Sequence, residues 1–152
     1  LGMAGAFLPT TRPVDGDEVV VGCEWDDESD DGWVAVASPW TQVGDGAVHA
    51  TVADLLRFAT AAIDPADAPG VGGERWAAAL VAPGPTPEPS GDGYAAGLVI
   101  SDGGAALGHS GSWLGTSTAL VALPDDGVVA VALCNVDDLD AAAVADALLE
   151  RR

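Results

Sequence analysis

The sequence predicts an α+β fold: an antiparallel sheet with a C-terminal helix packed on it, plus short helices. Three observations carry this expectation. Short apolar runs at 94–100, 117–123 and 128–135 are parted by turn residues, the pattern of an antiparallel meander. Helical periodicity is confined to a stretch after Thr51, a short one after Gly73, and the C-terminus. The elements run strands, helices, strands, helix rather than alternating strand and helix.

Taken in order, residues 1–18 are turn-rich, with Pro9, Pro13 and Gly16. Residues 19–25 and 33–37 read as a hairpin around the acidic turn Asp26–Gly32. Thr51 is the expected N-cap of a helix, and Asp54 three residues on returns the bond in capping-box fashion. Val52, Leu55, Leu56, Ala59 and Ile63 form its expected apolar face, and Asp64-Pro65 ends it. A second helix is expected at Gly73–Val81, then an alternate-proline connector from Pro83 to Pro89. Residues 94–100 are expected as one strand, and Pro124-Asp125-Asp126-Gly127 is a strong turn signal between the last two. The final helix, Asp138–Arg152, should bury Ala141, Val144, Ala145 and Leu148. Its acids at the start and arginines at the end suit the helix dipole.

Composition bounds function. The 152 residues hold 24 Asp+Glu against 5 Lys+Arg, a net charge of −19, and all five cations are arginine. The absence of lysine excludes a Schiff base, a Walker lysine or a Ser-x-x-Lys base in this chain. Nucleic acid is excluded as a partner, because phosphate neutralisation needs clustered cations. No apolar run approaches the length of a membrane helix, and no signal peptide is visible at the N-terminus. Nothing here marks a compartment. Cys23 and Cys134 have no metal-ligand spacing and sit in apolar runs, where a free cysteine acts as a small hydrophobe. No metal or cofactor is expected. The acidity suits either high salt or an Ala/Asp-biased genome.

The most informative stretch is Leu107-Gly108-His109-Ser110-Gly111-Ser112-Trp113-Leu114-Gly115. One reading is an edge strand lining an active site, with glycines for close backbone approach and His109 as a titratable group. The other is a glycine-rich turn with an exposed histidine. Two lookalikes match poorly. Gly108–Ser112 nearly fits a nucleophile elbow, but ends in Ser112 and is followed by a strand-like run instead of a helix. Asp27, Ser29, Asp31 and Gly32 match the opening of a calcium loop, but Ser38 stands where the bidentate glutamate belongs. That segment reads as a solvated acidic turn. His49 reads as a partly exposed loop histidine. Of the five tryptophans, Trp113 alone adjoins the glycine motif.

Four segments in order then resemble the C-terminal part of the serine β-lactamase-like hydrolases: class C β-lactamases, D-alanyl-D-alanine carboxypeptidases, D-aminopeptidases and related esterases. Leu1-Gly2-Met3 looks like the "LGM" after the family's Tyr motif. Gly46 to Leu55 is similar to "GGLYSTAxDL", and Tyr94-Ala95-Ala96-Gly97-Leu98 to "YGLGW". His109-Ser110-Gly111 through Gly115, with Pro124 and Asn135, resembles "HxGxxxG…P…N". The resemblance implies a serine acyl-enzyme mechanism on an amide, ester or β-lactam carbonyl. It implies that His109 binds or polarises substrate and that the Ser112 backbone N–H is an oxyanion-hole donor. Ser110, Gly111 and Trp113 would line the substrate.

The departures are as informative. The chain has no Ser-x-x-Lys, and its only tyrosine, Tyr94, is followed by Ala95-Ala96, so there is no Tyr-x-Asn. Both motifs precede "LGM" in the family. The expectation is therefore a single partial domain over 1–152, inactive alone, whose sheet lacks the family's N-terminal strands. Its expected partners are a small-molecule or peptide substrate, the N-terminal portion, or another copy. Two other readings stay open: a non-catalytic module binding a peptide or partner chain, and a calcium-stabilised acidic module.

Overall fold

The structure is a computed structural model that describes residues 1–8, 19–36, 46–67, 73–82, 84 and 93–151. The proline connector apart from Gly84, Trp40 and Ser38 lie outside the described residues. Two sheets form. Strands β1 (Gly22–Trp25) and β2 (Trp33–Val36) make an antiparallel hairpin, with Trp25 opposite Trp33. A five-stranded antiparallel sheet runs β3-β4-β5-β6-β7 in chain order: Gly93–Tyr94, Val99–Ser101, Ala106–Trp113, Thr116–Leu123 and Val128–Cys134. The expected meander and α+β class are present.

Helices cover both faces of β6 and β7. Helix α1 (Val52–Ile63) brings Ala59 against Leu120 and Val131. Helix α3 (Ala141–Leu149) brings Ala141 and Ala145 against Ala119, Ala130 and Ala132 on the other face. Alternate residues of β6 thus serve opposite helices, as the period-2 pleat requires. The core is built largely of alanine, so helices and sheet approach closely. Helix α2 (Gly73–Leu80) sets Trp76 edge-on to Phe58 of α1, with centroids 5.8 Å apart.

The capping box is present at α1. The Asp54 N–H donates to the Thr51 hydroxyl at 3.1 Å, and the Thr51 N–H donates to the Asp54 carboxylate at 3.2 Å. The Thr51 hydroxyl also donates to that carboxylate at 2.7 Å. The first segment of the chain docks here: a Cβ on Gly5 would sit 2.8 Å from Asp54 Oδ2. Asp54 is 2% exposed, and Thr51 and the Gly5 backbone hold its carboxyl below the ordinary value.

Four expectations need correction. Residues 94–100 are not one strand: Gly97 adopts φ +88° and Ala95 N–H donates to Leu98 O, so the chain turns between β3 and β4. On α1, Val52 and Leu56 are exposed, and Leu55, Phe58, Ala59 and Ala62 take the inward positions. On α3, Val144 and Leu148 are exposed while Ala141 and Ala145 are buried. Leu55 and Ala59 on α1 and Ala141 and Ala145 on α3 face inward as expected, but both helices carry more apolar surface than the described residues cover. The last turn of α3 also holds no basic residue: Glu150 is its C-cap and Arg151 follows it, while Arg152 lies outside the described residues.

Candidate active site

The site begins with where β4 stops. β4 pairs with β5 only at Ala106, Leu107 and Gly108. β6 pairs with β5 over Leu107–Trp113. From His109 to Trp113, β5 therefore has one covered side and one side without a β4 partner. The expected edge strand exists, but only for that half. The reading of this stretch as a glycine-rich turn gives way to a strand that turns at Leu114-Gly115.

The turn fixes which backbone groups face outward. Leu114 (φ +29°) and Gly115 (φ +73°) form a two-residue hairpin loop with positive φ at both positions, the I′ type. In such a loop the flanking pair, Trp113 and Thr116, is hydrogen-bonded across the ladder. Antiparallel pairs then alternate. Ser112 opposite Ser117 and Ser110 opposite Ala119 are the non-bonded pairs, so their N–H groups point away from β6 toward the open side. A strand followed by a strand also removes the nucleophile elbow, which needs a helix there.

His109, Ser110, Gly111, Ser112 and Trp113 are all exposed along this half-strand. Tyr94, fifteen residues upstream, joins them: its hydroxyl lies 3.1 Å from His109 Nε2, with the rings edge-on at 5.8 Å and 76°. In the sequence Tyr94 stands in a strand motif with no site signal of its own. A contact between β3 and β5 leaves no local signal.

The glycines divide differently from expectation. A Cβ on Gly108 would meet Leu120 O at 2.4 Å, and one on Gly115 would meet Cys23 N at 2.6 Å. These glycines serve chain-to-chain packing. Gly111 keeps the open side, with only Thr118 Oγ1 at 3.1 Å from a Cβ.

Gly115 and Asn135 hold the β1–β2 hairpin beside the site. Cys23 N–H donates to Gly115 O (3.1 Å) and to Asn135 O (2.8 Å), and Asn135 Nδ2 donates to Val21 O at 3.4 Å. Asp137 accepts from Gly115 N–H at 3.3 Å. His49 sits elsewhere: it bridges to Phe7 by two backbone bonds and stacks on its ring at 4.9 Å. Cys23 and Cys134 are free and half-buried. Among the described residues no group of three or more His, Cys, Asp or Glu is placed to hold a metal, and no helix is long and apolar enough to cross a membrane.

No curated protein matches the sequence significantly. Among solved structures, the chain is similar to the octameric penicillin-binding protein homologue from Pyrococcus abyssi, with a TM-score of 0.76 at 21% identity. That likeness is one of fold. It covers 99% of this chain and 35% of that one, so the chain spans about a third of the neighbour's length. A family model described as Beta-lactamase matches residues 1–152, the whole of the sequence. The chain belongs to the Beta-lactamase family, whose fold is that of serine hydrolases.

Proposed function

We propose that this chain supplies one wall of an acyl-transfer site in a serine hydrolase acting on an amide, ester or β-lactam carbonyl. One observation carries the reading: the half of β5 beyond its β4 pairing presents His109 and outward N–H groups on a single exposed strand. An oxyanion forming beside that edge could accept from the Ser112 N–H, and a strand-borne donor needs no reorganisation as charge develops. His109 would bind or polarise the carbonyl. Ser110, Gly111 and Trp113 would line the substrate. The nucleophile and its lysine must come from outside these 152 residues, because the chain contains no lysine.

The surfaces left open support a partial domain. β7 is terminal in the sheet, and Leu133 on it is 37% exposed. Ala143, Val144, Ala147, Leu148 and Arg151 line a shallow groove on the outer side of α3. Strand edges and apolar helix faces of this kind are ordinarily covered. The occupant under this reading is the portion of the domain carrying Ser-x-x-Lys. A second copy is the other candidate, and the octameric homologue makes it worth measuring by light scattering. The test of function is acylation: a folded chain carrying both portions should be labelled by a fluorophosphonate or penicillin probe, and absence of labelling would sink the reading.

A second reading rests on the same open edge. An extended peptide could add to β5 as a further strand, with main-chain bonds giving affinity. It predicts saturable peptide binding by the 152-residue chain with no turnover. A flat titration would remove it.

A further inference from the structure

We propose that Tyr94 is a positioning residue for His109: its hydroxyl donates to Nε2, which leaves the ring proton on Nδ1. His109 then offers an incoming molecule a hydrogen-bond donor and no base. This rests on the reading of β5 as a pocket wall, and it specifies what His109 does there.

Three observations support it. First, the contact is direct, at 3.1 Å, and among the described residues Tyr94 is the hydrogen-bond partner of the His109 ring. Second, the two groups are unequal. A neutral imidazole nitrogen is a better acceptor than a phenol oxygen, and a phenol O–H is a good donor. The favoured arrangement is therefore O–H to Nε2, and the bond at one ring nitrogen sets the proton on the other. Third, Tyr94 is held from both sides. Gly84 N–H donates to Tyr94 O at 2.7 Å, and Gly84 lies so close that a Cβ would meet that oxygen at 2.4 Å. On the other side Tyr94 pairs with Val99, and the turn between them is closed by Ala95 N–H to Leu98 O. The backbone carrying the hydroxyl is fixed before any ligand arrives, which limits the ordering cost of using it.

The consequence concerns substrate chemistry. An Nδ1–H donor suits an acceptor oxygen, such as a carbonyl or a carboxylate. It cannot withdraw a proton from a hydroxyl. Under this assignment His109 polarises or anchors, and proton removal falls to groups elsewhere in the complete site.

The test reads the tautomer without any activity. In the ¹⁵N-labelled 152-residue chain at alkaline pH, His109 should show a protonated Nδ1 and a bare Nε2. Tyr94→Phe should move it to the Nε2–H form that free histidine side chains favour in water. His49, stacked on Phe7 and bonded to no hydroxyl among the described residues, serves as the internal control and should not change. Circular dichroism confirms that the variant is folded. If it is not, the wild-type spectrum alone decides. A wild-type His109 protonated on Nε2, or a tautomer unchanged in folded Tyr94→Phe, would overturn the proposal. Acylation labelling probes the nucleophile, so the two readings can fail separately.

Discussion

Gly22 of β1 lies directly against Gly115 in the β5–β6 turn: a Cβ on Gly22 would come within 2.7 Å of Gly115 O and 2.8 Å of Leu114 O. The small hairpin is therefore docked backbone to backbone on the loop that ends the open half of β5. Gly22→Ala is expected to push the hairpin off. Overpacking against backbone costs about 1–3 kcal/mol. Chemical denaturation should show that loss. The near-ultraviolet signal of Trp25 and Trp33, which meet edge-on at 5.2 Å, should weaken with it.

The same turn carries strain that can be relieved. Leu114 has φ +29°, a region that bulky side chains avoid. Asn before Gly is the preferred pair for an I′ hairpin loop. Leu114→Asn should therefore raise the melting temperature, with a gain of about 1 kcal/mol from the left-handed conformation alone. A lower melting temperature would mean that the half-buried leucine contributes more by packing than it loses in strain.

Asp54 gives a pH signature. Its folded pKa is lowered, first by the Thr51 hydroxyl, so it stabilises the fold at pH above its unfolded value. That contribution is lost as pH falls through the lower folded value. The unfolded reference is about 3.9. Asp54→Asn lacks this dependence. The melting-temperature gap between wild type and Asp54→Asn should be largest near neutrality and shrink below about pH 4. Thr51→Ala removes the cap itself and should cost about 1 kcal/mol.

Ser112 separates backbone from side chain. In a chain that also carries the nucleophile, Ser112→Ala keeps the N–H and should leave turnover nearly unchanged. Ser112→Pro removes it. Proline is tolerated where a strand's N–H faces outward, so the fold should survive. Loss of an oxyanion donor typically costs ~10²–10³ in rate. Equal turnover in the two folded variants would take Ser112 out of the oxyanion hole.

What was legible in the sequence was what local chemistry decides. Thr51 and Asp54 make a cap within one turn of chain, and the structure has that cap with both bonds in place. The Pro124–Gly127 turn and the strands on either side of it follow short-range rules in the same way. Residues 94–100 failed because Gly97 bends a run whose composition still reads as strand. The helix faces were legible only in part: Leu55, Ala59, Ala141 and Ala145 turn inward as expected. Val52 and Leu56 on α1, and Val144 and Leu148 on α3, are apolar enough for a core but stand exposed. A periodic pattern marks a stripe as suited to burial without saying what buries it. Tyr94 and His109 were each visible, yet their meeting depends on β4 lying between β3 and β5. No spacing along the chain encodes that.

The most direct measurement is the coding sequence immediately upstream of Leu1. The account predicts an in-frame Ser-x-x-Lys, followed by Tyr-x-Asn shortly before Leu1. The exposed β5 edge would then face a nucleophile from the same chain. An open reading frame that starts at or just before Leu1, with neither motif ahead of it, would contradict the claim that this chain is one wall of its own hydrolase site.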